Sequence, residues 1–270
     1  MINKPFRLPQ RLLTVVALTI TIAISGCQKT PDANEAQTDT GSQNSNKNTS
    51  QTSDTQLSQT TSTTNPAEQQ APLTILALGD SLTEGLGVDN NANYPAQLQT
   101  RLQELGYKDI KVINSGLSGE TSTGLVNRLD WVLQTKPDVT ILTIGANDAI
   151  RGIDVATVEA NIRTAVKRLQ DNDSVVILGG MQIYDNLGSD YVKSFAAIYP
   201  RVAKDLNVTL IPFFLDGVGG DPKLNQADAI HPTKEGYTLI VNNNILPILQ
   251  PELKKINPSN VTNTPTETAQ

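Results

Sequence analysis

The chain has 270 residues, a formal net charge of −6, one histidine and one cysteine. An acidic chain with no basic cluster is a poor partner for nucleic acid or an anionic surface. The lone cysteine excludes an internal disulfide, and a single histidine beside it leaves too few nitrogen and sulfur ligands for a zinc centre, so no metal site is expected.

In chain order, Lys4, Arg7 and Arg11 come first, followed by Leu12–Ile24, a run of 13 mostly apolar residues that Ser25-Gly26-Cys27 closes. The run is shorter than the ~20 residues that span a bilayer, and residues 1–26 read as a signal peptide. Its small-residue end on a cysteine resembles the lipobox of bacterial lipoproteins, which implies cleavage before Cys27 and lipidation of the Cys27 sulfur. Cleavage removes three positive charges and takes the chain from −6 to −9. Membrane attachment would then come from lipid and not from charge. Gln28, where aspartate marks inner-membrane retention, directs such a lipoprotein to the outer membrane of the cell envelope, facing the periplasm. Residues 28–71 are mostly Thr, Ser, Gln, Asn and Asp, with Leu57 the only large apolar side chain. Such a tract cannot bury enough surface to offset ordering. Together with Cys27 it is expected to form a disordered tether over 27–71, reaching roughly 35–40 Å.

The folded part is expected over 72–252, one domain with room for a real core, and 253–270 reads as a polar disordered tail. Five β-branched runs stand out: LTILALG (73–79), IKVINSG (110–116), DVTILTIG (138–145), SVVILGG (174–180) and VTLIPFF (208–214). Each is nearly continuous in apolar character, which predicts strands covered on both faces. Between them, helical spacing marks Tyr94–Leu105, Thr123–Leu133, Asp154–Leu169, Tyr191–Leu206 and Thr233–Leu249. Strand and helix alternate without a hairpin signal. That pattern predicts an α/β fold, a three-layer α/β/α sandwich on a five-stranded parallel sheet. Ligands of such sheets bind at the carboxyl ends of the strands. Four polar segments are expected on that rim: GDSLTEG, NSGLSGETS, GANDAIRG, and QADAIHPTKEG with the single histidine.

Their residue types suit acyl transfer. Ser81, directly after the first strand, is a weak nucleophile unless a base takes its proton, and only His231 can supply an imidazole. Pro232 favours extended backbone before it and the first position of a helix, which would hold His231 at a helix mouth. Asp228, three residues earlier, can accept from one ring nitrogen, fix the tautomer and stabilise the imidazolium. An oxyanion needs preorganised donors. Candidates are the Ser81 N–H, the Gly116 N–H and the Asn147 side-chain amide. Asp80 reads as structural.

GDSLTEG with Ser81, NSG with Gly116, GAND with Asn147 and DAIHP with Asp228 and His231 resemble the four blocks of the SGNH (GDSL) hydrolase family. The resemblance covers about 73–251, and FAAIYPRVAKDLNVTLIPFF (195–214) is similar to the periplasmic thioesterase, lysophospholipase and arylesterase branch. It implies a flavodoxin-like sheet and a serine esterase that hydrolyses acyl esters or thioesters without metal or cofactor; a monomer is expected. Ala146 departs from the glycine common in that branch and puts the substrate range in question. Two other functions fit the same residues less well: a carbohydrate acetylesterase, and a lipoprotein that binds lipid without turnover. A nucleotide-binding Rossmann domain is disfavoured, since no G-x-G-x-x-G follows the first strand and no P-loop lysine is present.

Overall fold

A computed structural model of the chain describes residues 72–107, 109–184 and 188–256. The expected signal peptide, Cys27, the tether and residues 257–270 lie outside the described residues.

The five expected strands form: β1 (Leu73–Gly79), β2 (Ile110–Gly116), β3 (Val139–Thr143), β4 (Val175–Gly179) and β5 (Thr209–Ile211). They make one sheet in the order β2-β1-β3-β4-β5, every pair parallel. The chain steps from β1 to β2 on one side and then returns to β3 on the other. The strand order therefore reverses between β1 and β3, the point where ligands of doubly wound sheets bind. β1 and β3 are buried almost throughout, which explains their unbroken apolar runs. β2 departs from expectation. It is an edge strand, and Lys111 and Asn114 are exposed along it. β5 is shorter than its sequence run because Pro212 has no N–H to continue the ladder; Phe214 leaves the sheet and instead donates its N–H to Gly180 O at 2.8 Å.

The layer beside β2 and β5 contains α2 (Tyr94–Glu104) and α9 (Leu246–Ile256), with α8 (Lys234–Leu239) against α2. The other layer packs α3 (Ser122–Val132), α5 (Val155–Gln170) and α7 (Ile198–Leu206) side by side, with α6 (Ser189–Ala196) at its end. α5 shows why these segments are helical. Asp154 accepts from the N–H groups of Ala156 and Thr157 at the N-cap, and Val158, Ile162, Ala165, Val166 and Leu169 form one buried stripe. Each large member of that stripe contributes about 1.5–3 kcal/mol by leaving water. Two helices differ from expectation. The predicted 191–206 helix breaks into α6 and α7 at Ala197. The predicted 233–249 helix passes through a π-helical turn at 240–245 and runs on to Ile256, so residues 253–256 belong to the fold and not to a tail. Two short helices had no periodic signal to find: α1 (Ser81–Glu84) and α4 (Ala146–Ile150). Both start at the carboxyl edge of the sheet.

Candidate active site

β1 ends at Gly79, paired with Gly116 on one side and Thr143 on the other. Asp80 then caps α1, its Oδ1 accepting the Leu82 N–H at 3.0 Å. This places Ser81 at the first position of α1, buried at the carboxyl edge of the sheet.

The facing segment is the turn before α8. Gln226 N–H donates to His231 O at 2.7 Å, Thr233 N–H donates to Leu224 O at 2.8 Å, and Asn225 pairs with Pro232 in a bridge. Gln226 Nε2 reaches across to Leu86 O at 2.8 Å and so fastens the turn to the loop after α1. Within it, Asp228 Oδ1 accepts the N–H groups of Ile230 and His231 at 2.9 and 3.0 Å. The second carboxylate oxygen, Oδ2, lies 2.7 Å from His231 Nδ1, and His231 Nε2 lies 2.9 Å from Ser81 Oγ. Ser81 and His231, 150 residues apart in sequence, thus join Asp228 in one continuous relay. In the neutral ring Nδ1 donates to Asp228, which leaves Nε2 to accept from the serine hydroxyl.

One detail of the expected arrangement is corrected. Pro232 is not the first residue of a helix. Thr233 is the N-cap, its hydroxyl accepting the Gly236 N–H, so α8 begins two residues later at Lys234. His231 is held by the hydrogen-bonded turn and not by a helix mouth.

The electrostatics separate the two aspartates. Partial burial works against the Asp228 carboxylate, but the His231 N–H, the His231 ring and the Ile230 N–H together bring its pKa down to about 2. Asp80 goes the other way: burial pushes it up to about 7, against the pull of the Leu82 N–H and of nearby His231, and its Oδ2 has no hydrogen-bond partner.

Asn147 lies in the first turn of α4, half-buried, with no hydrogen bond to its side-chain amide among the described residues. Only glycine can precede this helix at 145. Its φ is +119°, and a Cβ there would sit 2.4 Å from the Tyr199 hydroxyl. Asp148, fully buried, accepts from Ser122 N–H and Oγ at 2.8 and 2.6 Å and ties α4 to the start of α3.

Gly116 is where the sequence-based expectation fails. Leu117 N–H donates to Gly79 O at 3.0 Å. Successive N–H groups of a strand point to opposite sides, so that of Gly116 faces away from β1, out of the open edge of the sheet. There it is taken by Asn114 Oδ1 at 2.9 Å. Gly116 is needed for packing instead, because a Cβ would meet the Glu84 backbone nitrogen at 2.0 Å. A second glycine three residues on fits the rim better. Gly119, at φ +75°, has an N–H without a partner among the described residues, as does the Ser81 N–H. Its loop is held against α1, with Ser118 N–H donating to Glu84 Oε2 at 2.7 Å, and Arg151 Nη2 donates to Gly119 O at 2.8 Å. The sequence offered both glycines of NSGLSGE, and the pairing of β2 with β1 selects between them.

Beside Ser81 an apolar groove of about 510 Å³ opens, lined by Leu82, Ala146, Met181, Phe213, Leu215 and Ile230 among others. Leu82, Ala146 and Ile230 are sequence neighbours of Ser81, Asn147 and His231, so the groove starts at the relay.

A doubly wound sheet with a serine, histidine and aspartate relay at its switch point defines a hydrolase class. The description "GDSL-like Lipase/Acylhydrolase family" matches residues 77–239, and the chain belongs to that family. Among similar proteins, esterase TesA of Pseudomonas aeruginosa is 36% identical over 187 residues, covering 69% of this chain and 92% of its own. The Escherichia coli K12 protein named thioesterase 1/protease 1/lysophospholipase L1 is 32% identical over 170 residues, covering 63% of this chain and 80% of its own. The crystal structure of AlinE4, an SGNH-hydrolase family esterase, superposes with a TM-score of 0.56 at 35% identity, over 70% of this chain and 94% of that one. The expected fold and family are therefore established, and the chain is a carboxylic ester hydrolase.

Proposed function

We propose that the esterase acts through an acyl-enzyme on Ser81 and takes fatty acyl esters or thioesters. The reading is carried by the unbroken relay from Asp228 through His231 to Ser81. Ser81 Oγ attacks the acyl carbonyl while its proton passes to His231 Nε2. Asp228, held ionised, compensates the imidazolium. Negative charge on the carbonyl oxygen is received by the N–H groups of Ser81 and Gly119 and by the Asn147 amide. His231 then gives its proton to the departing alcohol or thiol. Water repeats the sequence, cleaving the Ser81 ester and restoring the hydroxyl.

The groove favours acyl chains over acetyl groups, since an apolar cleft of this size returns little for a two-carbon acid. This weighs against the carbohydrate acetylesterase reading. Turnover of p-nitrophenyl esters from acetyl to decanoyl is expected to rise from acetyl to a medium-chain optimum in the wild type and to be lost throughout in Ser81→Ala. A Ser81→Ala protein with wild-type rates rules the reading out, and a preference for acetate removes its acyl-chain part.

We further propose that the mature chain is anchored by lipid on Cys27, on the outer membrane and facing the periplasm. The run 12–27 supports this placement. Among the described residues no helix is long and apolar enough to cross a membrane. Cys27→Ala is expected to move the protein from the membrane pellet to the soluble fraction on cell fractionation; an unchanged pellet refutes the anchor. All of the proposed site comes from one chain, which suits a monomer.

A further inference from the structure

We propose that Arg128 is a positioning residue for the oxyanion site, acting through Glu120 on the loop that presents the Gly119 N–H. This rests on the serine-esterase reading above and adds to it a residue that touches no substrate.

Arg128 projects from α3 into the space between the ends of β1 and β2. Its Nε and Nη2 each donate to one carboxylate oxygen of Glu120, both at 2.6 Å. Nη1 donates to Ser115 Oγ and Nη2 to Ser115 O, each at 2.8 Å, with Gly79 O a longer 3.4 Å away. One guanidinium thus joins the last residue of β1, two residues before Ser81, to the end of β2 and to the residue after Gly119. The pair is removed from water, with side-chain exposures of 18% for Arg128 and 2% for Glu120.

Stability alone is a poor reason for such a pair. A buried ion pair costs desolvation on both partners, and an apolar pair of similar volume often serves as well or better. An apolar pair cannot fix the angle between position 120 and Ser115, and a lysine lacks the flat fork that grips a carboxylate at both oxygens. Fixed angles are what the Gly119 N–H needs. An oxyanion donor acts only if it already points to where charge develops, and a shift of about 1 Å costs on the order of 100-fold in rate. Glu84, on α1, holds the opposite side of the same loop through Ser118. The donor and the nucleophile are thereby referenced to one another on both sides.

The test compares wild type, Arg128→Lys, Arg128→Met, Glu120→Gln and the apolar pair Arg128→Met/Glu120→Leu, in the full chain with p-nitrophenyl butyrate. Each single variant is expected to lose kcat by about 10- to 100-fold with KM within about twofold of wild type. The apolar pair is expected to recover the melting temperature lost when Arg128 alone is removed, without recovering kcat. Either a folded variant with wild-type kcat, or a kcat loss that disappears when the assay is run well below the variant's melting temperature, overturns the positioning role. Its failure is separable from that of the underlying reading: turnover that survives Ser81→Ala defeats the serine mechanism itself, whereas Ser81-dependent turnover indifferent to Arg128 defeats only this inference.

Discussion

Replacing His231 with alanine is expected to lower kcat for a short acyl ester by about 10⁴-fold or more while the protein stays folded. The size of the effect follows from there being no substitute. His231 is the only imidazole in the chain, and its Nε2 is the ring atom within 2.9 Å of Ser81 Oγ. Without it the hydroxyl has no base of suitable strength, and the leaving group has no acid. The fold tolerates the change because the turn is built from backbone. Gln226 N–H still donates to the carbonyl at 231, and Asp228 Oδ1 still accepts the N–H at 231. Ser81→Ala should cost a similar factor, and the double variant little more than either alone, since the two act as one unit. Steady-state kinetics with p-nitrophenyl butyrate, set beside a circular dichroism melt, reads both quantities. A His231→Ala enzyme within tenfold of wild type removes His231 from the mechanism.

The second large effect concerns stability and lies one residue before the nucleophile. Burial raises Asp80 to about 7 from an ordinary value of 3.8. The folded protein therefore keeps a proton that the unfolded chain releases throughout this interval. Proton binding favours the folded state, so the stabilisation is complete below about pH 4 and is lost as pH rises through 7. The interval corresponds to about 4 kcal/mol. Asp228 works in the opposite sense and in another window: its lowered pKa gives stability that is present above about pH 4 and lost as pH falls through 2. Asp80→Asn cannot ionise yet keeps an oxygen for the Leu82 N–H. Urea unfolding of both proteins is expected to show the variant gaining on wild type by about 3 kcal/mol between pH 4.5 and 8, the part of the interval that lies in that window. A difference between the two that does not change with pH rejects the neutral Asp80.

The relay was legible in the sequence because its members are scarce or tightly spaced. A single histidine can be assigned a role by elimination, and an aspartate three residues before it lies within reach whatever the wider fold. The strands were legible because β1, β3 and β4 are covered on both faces and read as unbroken apolar runs. Gly116 was misplaced for the converse reason. Which glycine of NSGLSGE faces the site depends on the direction of a single N–H, and that is set by the pairing of β2 with β1. The Arg128–Glu120 pair carried no local signal at all. Its partners at 79, 115 and 120 meet only when two strand ends and a helix come together, and eight residues separate the two charges along the chain.

By itself the sequence determined the order of the strands and of the longer helices, the family, and which side chains meet in the Ser81–His231–Asp228 relay, since these follow from hydropathy period and from chemistry that few residue types can supply. The tertiary structure alone decided which backbone N–H groups are left without a partner at the rim, how far the last helix runs, and that Asp80 is sealed from water while Asp228 is held ionised. Those outcomes depend on distances across the sheet and on burial, and neither is written in the spacing of residues along a chain.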